Sequence, residues 1–288
     1  MSDRTPTDAS TAHGDPAASD VDGAPTNSLA GDAPDVLVVG GGVAGLTAAT
    51  FTARAGLDTL VVDAGESILT RNAHLENLPG FPLGVDPRRF LDLLREQADE
   101  NGVRRRRGRV RDVDFRGGAF EVTGTTEDGR PDADEQWTLR TDVVVASSWA
   151  DASYLDEVGV ETRAAGSKRY VVVDDYGRSS VDGVYAAGRL TEKYHQAVVA
   201  AGHGAEVGLT VVHDSDTPYY NDWVTPEGYF TDRGREVPPG CEEIDAAESE
   251  RRADAARARM REAFSEPHPD PQRTHPSLVD DELGRLDE

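Results

Sequence analysis

This 288-residue sequence has very few cysteine and lysine residues and no long apolar run. Cys241 is its only cysteine, so neither an intrachain disulfide nor a zinc site built from several thiolates can form within the chain. No apolar run approaches the length of a membrane span. The first thirty residues also lack the basic and then apolar pattern of a secretory signal. These absences predict a soluble cytoplasmic protein.

Positive charge is scarce, and lysine is almost absent. The sequence carries 54 Asp and Glu residues against 30 Lys and Arg, a formal net charge of -24, and its only lysines are Lys168 and Lys193. Such a surface repels nucleic acids and anionic membranes, so neither is expected as a partner. An acid-rich surface nearly without lysine is typical of proteins from extreme halophiles, although a merely acidic mesophile protein is the alternative.

Three regions of different composition follow one another. Residues 1–34 are small, polar and acidic, which is typical of a disordered tail. Residues 35–213 predict an α/β domain, Rossmann-like and rich in parallel strands, with a small β-meander over residues 103–123. Residues 214–288 form a C-terminal extension with one predicted helix at 246–264, and from Ser265 onward the chain is expected to be loose.

Apolar periodicity predicts the elements of the central domain. Strands are predicted at residues 36–39, 59–62, 103–115, 119–123, 137–139, 143–145, 170–173 and 184–187. Helices are predicted at 43–55, 90–101 and 196–212. Because continuous apolar runs such as 36–39 are typical of strands buried on both faces, the sheet should be mainly parallel.

A glycine-rich turn directly after the first buried strand is the strongest functional signal. Gly40, Gly42 and Gly45 satisfy the pattern G-x-G-x-x-G. In this context the three glycines allow a tight turn, a close approach of a diphosphate to the backbone, and close packing of helix on strand. Asp63 ends the second strand, where a carboxylate binds ribose hydroxyls and disfavours a 2′-phosphate. The pattern predicts a dinucleotide site, and it leaves FAD and NAD open.

Three further segments resemble the thioredoxin reductase-like branch of the FAD-dependent pyridine nucleotide-disulfide oxidoreductases. Residues 76–82 (E-N-L-P-G-F-P) resemble the E-N-x-P-G-F segment of that family. Residues 182–188 resemble its second flavin motif, and residues 196–204 continue the resemblance into the last helix. The resemblance covers about residues 35–212 and implies that the cofactor is FAD.

The resemblance also implies roles for individual residues at the FAD site. The pyrophosphate would be held by Gly40, Gly42, Val43, Ala44 and Gly45. Asp63 would bind the adenosine ribose, Val110 would meet the adenine through its backbone, and Asn77, Gln196 and Ala197 would lie beside the flavin. Arg71, in the loop before Asn77, is either a phosphate ligand or an ordinary surface arginine.

Two departures from the family concern the redox chemistry. The family's C-x-x-C pair is missing, so a dithiol relay within this chain is impossible. The family also inserts an NADPH domain, on the order of 100 residues, between its two flavin motifs. Here only a short segment separates Ser148 from Lys168, and it contains no second glycine motif. Ordinary thioredoxin reductase activity is therefore not expected, and the flavin would be reduced by an external donor, either a reduced nicotinamide or a redox protein.

Two substitutions fall inside the motifs themselves. The family's A-T-G is Ala146-Ser147-Ser148 here, and the acid that usually follows the glycine of the second motif, Gly188, is Arg189. Ala146, Gly188 and Arg189 are retained as candidate cofactor-binding residues. Arg189 either binds phosphate directly or points to solvent and weakens FAD binding.

Other chemistry-bearing residues have two interpretations each. Arginines at 104–107, 109 and 111 form a basic stripe, for which pairing with nearby acids is favoured over a patch that binds phosphate or an acidic partner. His195 and His74 are proton donors near the flavin or structural residues. The aromatic residues of 219–230 pack outside the sheet or cover the flavin. No metal site and no hydrolase triad is predicted, and no catalytic residue is assigned.

The leading hypothesis is a single-domain FAD-binding oxidoreductase that receives electrons from a separate donor. A non-catalytic nucleotide-binding or regulatory module that retained the fold is the first alternative. An NAD-binding enzyme is the second. The sequence allows a homodimer without predicting one.

Overall fold

An eight-stranded sheet organises most of the chain. The computed structural model describes residues 27–28, 33–65, 67–126, 135–280 and 284. The sheet contains β1 (Asn27–Ser28), β2 (Val36–Val39), β3 (Thr59–Asp63), β4 (Arg104–Arg116), β5 (Ala119–Thr126), β6 (Gln136–Thr141), β7 (Val143–Ala146) and β10 (Val184–Ala186). Strands β8 (Thr162–Ala165) and β9 (Lys168–Val171) form a separate hairpin. Across the sheet the order is β1-β6-β5-β4-β3-β2-β7-β10.

The half of the sheet that includes β2, β3, β7 and β10 is parallel, as predicted. All four residues of β2 are buried, and they alternate between two apolar clusters. Val36 and Val38 pack towards the helices, whereas Leu37 and Val39 pack towards the opposite face of the sheet. The fold is therefore the α/β, Rossmann-like, parallel-rich arrangement that the continuous apolar runs indicated.

Three helices cover one face of the parallel strands: α1 (Val43–Arg54), α2 (Pro87–Glu100) and α3 (Ala197–Asp214). The backbones of α1 and α3 approach each other closely, because α3 presents glycines to α1. A Cβ on Gly204 would lie only 2.2 Å from the carbonyl oxygen of Ala44. Helix α2 begins three residues earlier than predicted, since Asp86 caps it by accepting a hydrogen bond from the backbone N–H of Arg88 at 2.8 Å.

The predicted meander is present and includes β6. Strand β4 pairs in parallel with β3 over residues 104–107 and then antiparallel with β5 from Gly108 onward. The β4–β5 turn contains Gly117 and Gly118 at φ +60° and +85°, the left-handed geometry that two-residue hairpin turns require. The β8–β9 hairpin was not predicted, although its second strand overlaps the predicted strand at 170–173.

Most of the predicted disordered tail, residues 1–34, lies outside the described residues. Within it, Asn27–Ser28 pair in parallel with β6 as the edge of the sheet. Among the described residues, no helix has the length and apolarity that crossing a lipid bilayer requires.

The C-terminal extension contains a parallel pair of strands, β11 (Trp223–Pro226) and β12 (Cys241–Ile244), and the predicted helix, α4 (Ala246–Ala263). Asp222 ties it to the end of α1 by accepting a hydrogen bond from Arg54 at 2.7 Å. The expectation that the chain becomes loose from Ser265 is wrong for residues 265–273, whereas residues 281–283 and 285–288 lie outside the described residues. Residues 265–273, which we name the C-terminal strap, lie across α2 and bond to several of its side chains.

Candidate functional site

A cleft of about 930 Å³ opens where the parallel strands β2, β3 and β7 end. In α/β sheets this is the edge at which ligands bind, because the loops after the strands diverge there. Of the predicted cofactor-binding residues, these line the cleft: Gly40, Gly42, Val43, Ala44, Asp63, Arg71, Asn77, Val110, Arg189, Gln196 and Ala197. The structure therefore brings to one cavity residues that are spread over more than half of the sequence.

Gly45, Ala146 and Gly188 lie behind the wall of the cleft. A Cβ on Gly45 would lie 2.0 Å from the carbonyl oxygen of Gly40, so this glycine is needed for packing of α1 on the turn. Ala146 is fully buried in β7. Gly188 adopts φ +71°, and its N–H donates to Nδ1 of His203 at 2.9 Å. These three residues shape the cleft from behind.

The glycine turn leaves space for a diphosphate at one position. A Cβ on Gly40 would meet the carbonyl oxygen of Ser147 at 2.7 Å, whereas a Cβ on Gly42 would meet only Oγ of Ser67, at 3.6 Å. Gly42 is also the N-cap of α1, and no side chain caps that helix. The N–H groups of the first turn therefore face the cleft without a side-chain acceptor, which suits an anionic ligand.

The cleft is richer in positive charge than the chain as a whole. Although the formal net charge is -24, the cleft wall carries Arg71, Arg109, Arg189 and Arg273 against three acids, Asp63, Glu76 and Asp151. The guanidinium of Arg189 donates to the Tyr170 hydroxyl at 2.8 Å and lies 5.1 Å from the centre of that ring. Arg189 is thereby held at the cleft wall, half-buried, where a guanidinium can reach a phosphate.

The other end of the cleft contains a side-chain pair that joins distant parts of the sequence. Nδ2 of Asn77 donates to Oε1 of Gln196 at 2.6 Å. Next to Gln196, the ring of His195 meets the ring of Trp149 edge to face, with 4.4 Å between centroids. Burial, and secondarily the charges of Arg189 and Lys168, lower the pKa of His195, which favours its neutral imidazole.

Trp149 was not predicted as a site residue. It adopts φ +64°, in the left-handed region that a bulky side chain rarely occupies, and it lines the cleft beside Ser147 and Ser148. The only signal in the sequence was the departure from A-T-G just before it. Ser67, Arg109 and Arg273 also line the cleft and were not assigned there by sequence reasoning.

His203 lies beneath the cleft and is 4 % exposed. Its Nδ1 accepts from the N–H of Gly188, and its Nε2 has no hydrogen-bond partner among the described residues. Burial lowers the pKa of His203 to about 4, with a smaller contribution from Lys193. The imidazole is therefore uncharged near neutral pH and serves as an acceptor that holds the second glycine turn in place.

The basic stripe on β4 pairs partly with acids, as the favoured interpretation expected. Arg104 donates to Asp58 at 2.7 Å and Arg105 donates to Asp99 at 2.6 Å. Arg106 instead stacks on the ring of Trp137, 4.8 Å from its centre. A second cavity of about 350 Å³ lies beside this stripe and shares Asp63 with the main cleft.

The aromatic residues of 219–230 do not line the main cleft. Trp223 and Phe230 each pack edge-on against Tyr229, at 5.6 and 5.0 Å between centroids, and Phe230 is 2 % exposed. These rings therefore contact one another and do not cover the cleft within one chain. His74 lines the cleft, and its Nε2 bonds with the carbonyl oxygen of Leu83 at 3.0 Å.

In the described part of the chain, no cluster of side chains is arranged to hold a metal ion.

Comparisons with known proteins agree with this geometry. Residues 81–204 match the pyridine nucleotide-disulphide oxidoreductase family, and residues 35–74 match the FAD binding domain family. Thioredoxin reductase of Aquifex aeolicus is 40% identical over 98 residues, which are 33% of this chain and 30% of that protein. Thioredoxin reductase 1 of Saccharomyces cerevisiae is 30% identical over 135 residues, 44% of this chain and 40% of that protein.

Solved structures show the same fold. A thioredoxin reductase from Gloeobacter violaceus superposes with a TM-score of 0.53 at 18% identity, covering 65% of this chain and 98% of that one. An oxidoreductase from Agrobacterium tumefaciens superposes with a TM-score of 0.54 at 16% identity, covering 64% of this chain and 98% of that one. In sequence, by contrast, the match to the curated Aquifex aeolicus enzyme spans under a third of that enzyme's length.

Proposed function

We propose that this chain, a relative of the thioredoxin reductase-like FAD-dependent oxidoreductases, transfers electrons through FAD that a separate donor reduces. The family matches over residues 35–74 and 81–204 indicate FAD as the cofactor. One observation carries the proposal: the glycine turn and the Asn77–Gln196 pair lie on the walls of the same cleft. The proposed FAD-binding domain spans residues 35–213, with the extension at 214–288.

Each part of the cleft suits a different part of FAD. The N–H groups at Gly42, Val43 and Ala44 would hold the pyrophosphate, with Arg71 and Arg189 supplying positive charge. Asp63 would accept hydrogen bonds from the ribose, and the backbone of Val110 would meet the adenine. Asn77, Gln196 and Ala197 would orient the flavin ring, which supplies hydride and electron transfer when it is bound.

The segment between β7 and β10 supports a separate donor. Residues 147–183 form a short 3-10 turn at Ser153–Leu155 and the β8–β9 hairpin. A second dinucleotide-binding domain needs on the order of 100 residues, for which this segment has no room. Cys241, the only cysteine, lies in β12, with its Sγ against the carbonyl oxygen of Asn221, and does not line the cleft. We therefore propose a reduced nicotinamide or a redox protein as the donor, in place of an internal relay.

The position of Cys241 also favours the alternative of a non-catalytic nucleotide-binding module. Absorption measurements separate this module from an FAD-dependent oxidoreductase and from an NAD-binding enzyme. Full-length protein, purified in high salt, is expected to show the visible absorption bands of oxidised flavin. Anaerobic mixing with NADH, NADPH or a reduced redox protein should bleach them. Bound FAD that none of these donors reduces would favour the non-catalytic module. Colourless protein that binds NAD and not FAD would overturn the proposal.

A matched pair of variants tests the placement of the cofactor. Gly42→Val adds a side chain on the open side of the turn and should abolish FAD retention while leaving the circular dichroism spectrum unchanged. Gly202→Ala, on the exposed side of α3 with nothing within 4 Å, should retain the wild-type flavin content. Wild-type flavin content in Gly42→Val would contradict the assigned pyrophosphate site.

A further inference from the structure

We infer that the C-terminal strap is part of the dinucleotide site and that Arg273 is a ligand to the cofactor phosphates. This inference rests on the proposed function, since it concerns how FAD is held. Neither family match reaches the strap, because the longer of the two ends at residue 204. The strap is therefore a feature of this chain that the family comparisons leave without a role.

The strap is anchored along its length to α2. It starts after Phe264, whose ring contacts that of Phe81 at 6.3 Å between centroids. Nε2 of His268 bonds to Asp92 at 2.9 Å, and the His268 side chain is only 4% exposed. Further along, the carbonyl oxygen of Asp270 accepts from Arg88 at 2.8 Å. A segment with a buried side chain and repeated bonds can hold its last residues in a defined position.

The end of the strap lies at the cofactor cleft. Nε2 of Gln272 donates to the carbonyl oxygen of Arg71 at 3.2 Å, and the next residue, Arg273, lines the cleft. Arg71 lines it too, so the strap brings a second guanidinium to the wall that already carries the first.

The position of Arg71 indicates which part of the cofactor the two arginines face. Arg71 ends a 3-10 turn that begins directly after Ser67. Oγ of Ser67 is the nearest atom to the open side of Gly42, at 3.6 Å from a Cβ built there. The turn that carries Arg71 therefore faces the glycine turn across the cleft. A pyrophosphate at the start of α1 lies within this region and has two negative charges for two guanidiniums.

It follows that cofactor binding and docking of the strap stabilise each other. A ligand that contacts Arg273 favours the docked strap, and by thermodynamic linkage a docked strap raises the affinity for that ligand. The C-terminal extension would then act on the FAD site through a single short segment, without contributing to the sheet.

The test measures FAD binding to the full chain by fluorescence titration. Arg273→Ala should weaken FAD binding about 10-fold, the effect of losing one charge-assisted hydrogen bond. Gln272→Ala, which keeps the charge and removes the bond to Arg71, should weaken it less. Arg261→Ala is the matched control, because Arg261 is exposed on α4 and does not line the cleft.

Hydrogen exchange gives a second measurement that does not depend on activity. Adding FAD should slow amide exchange over residues 265–273 in the wild type and in Arg261→Ala, and should have little effect there in Arg273→Ala. Equal FAD affinity in wild type and Arg273→Ala, with strap exchange unaffected by FAD, would overturn the inference alone. Failure of the wild type to bind FAD would instead overturn the proposed function.

Discussion

The cleft-bearing sheet and the C-terminal extension are held together by different interactions. Strands β2, β3 and β7 are almost entirely buried between two apolar clusters. In α4, by contrast, Ala263 is the only buried residue, and Arg259 reaches across to pair with Glu96 of α2. Close packing therefore positions the glycine turn, whereas ion pairs and hydrogen bonds to α2 position α4 and the strap.

This difference has a physical consequence for the site. Close-packed interiors resist displacement, so the N–H groups at the start of α1 stay in place with or without ligand. Exposed ion pairs contribute little free energy each and are screened by salt. Helix α4, which such pairs hold against α2, therefore adjusts more readily than the glycine turn.

The largest effect is expected where α1 and α3 touch. Gly204→Val would force side-chain atoms into the backbone of Ala44, and we expect the free energy of unfolding to fall by about 3 kcal/mol. Gly202→Ala, two residues earlier on the exposed side of the same helix, should raise it by about 1 kcal/mol. Urea unfolding followed by circular dichroism measures both changes. A similar result for the two variants would show that the helices are not closely packed.

The second prediction concerns pH and the buried His203. Burial lowers the pKa of His203 to about 4 in the folded chain, from an ordinary value of 6.5. Between these two pH values the unfolded chain binds a proton that the folded chain does not, so stability falls as pH decreases from 6.5 to 4. The His203→Gln variant should lack this part of the pH dependence. The free energy of unfolding of both proteins is measured across that pH range. Identical slopes of free energy against pH would contradict the assigned role of His203.

The smallest effect is expected in the extension. Arg259→Ala removes the ion pair with Glu96 and should leave the unfolding of the sheet unchanged, while amide exchange in α4 becomes faster. The hydrogen bond from Arg259 lowers the pKa of Glu96, so this pair stabilises the extension above about pH 4.5 and is lost as pH falls further. Hydrogen exchange in the wild type at several salt concentrations provides the control. Loss of protection in β2 as well would show that the two regions unfold together.

Much of the fold was predictable because its signals are local. The apolar run at 36–39, the glycine turn after it and the Ala-rich helix that follows occupy adjacent residues, and their order indicates a strand, a turn and a helix. The strap was missed because its sequence is polar and contains several prolines, which is typical of loops, whereas its position depends on bonds to α2. The β8–β9 hairpin was missed because its first strand carries no apolar alternation.

The class of fold and the glycine turn after the first buried strand were both predictable, since both follow from the spacing of neighbouring residues. Which distant side chains share the cleft depends on the tertiary structure. It placed Asn77 against Gln196, Trp149 against His195, and Gln272 against the backbone of Arg71. Such contacts depend on how helices, strands and loops pack in three dimensions. The periodicity of apolar residues along the sequence does not indicate which distant residues come close together.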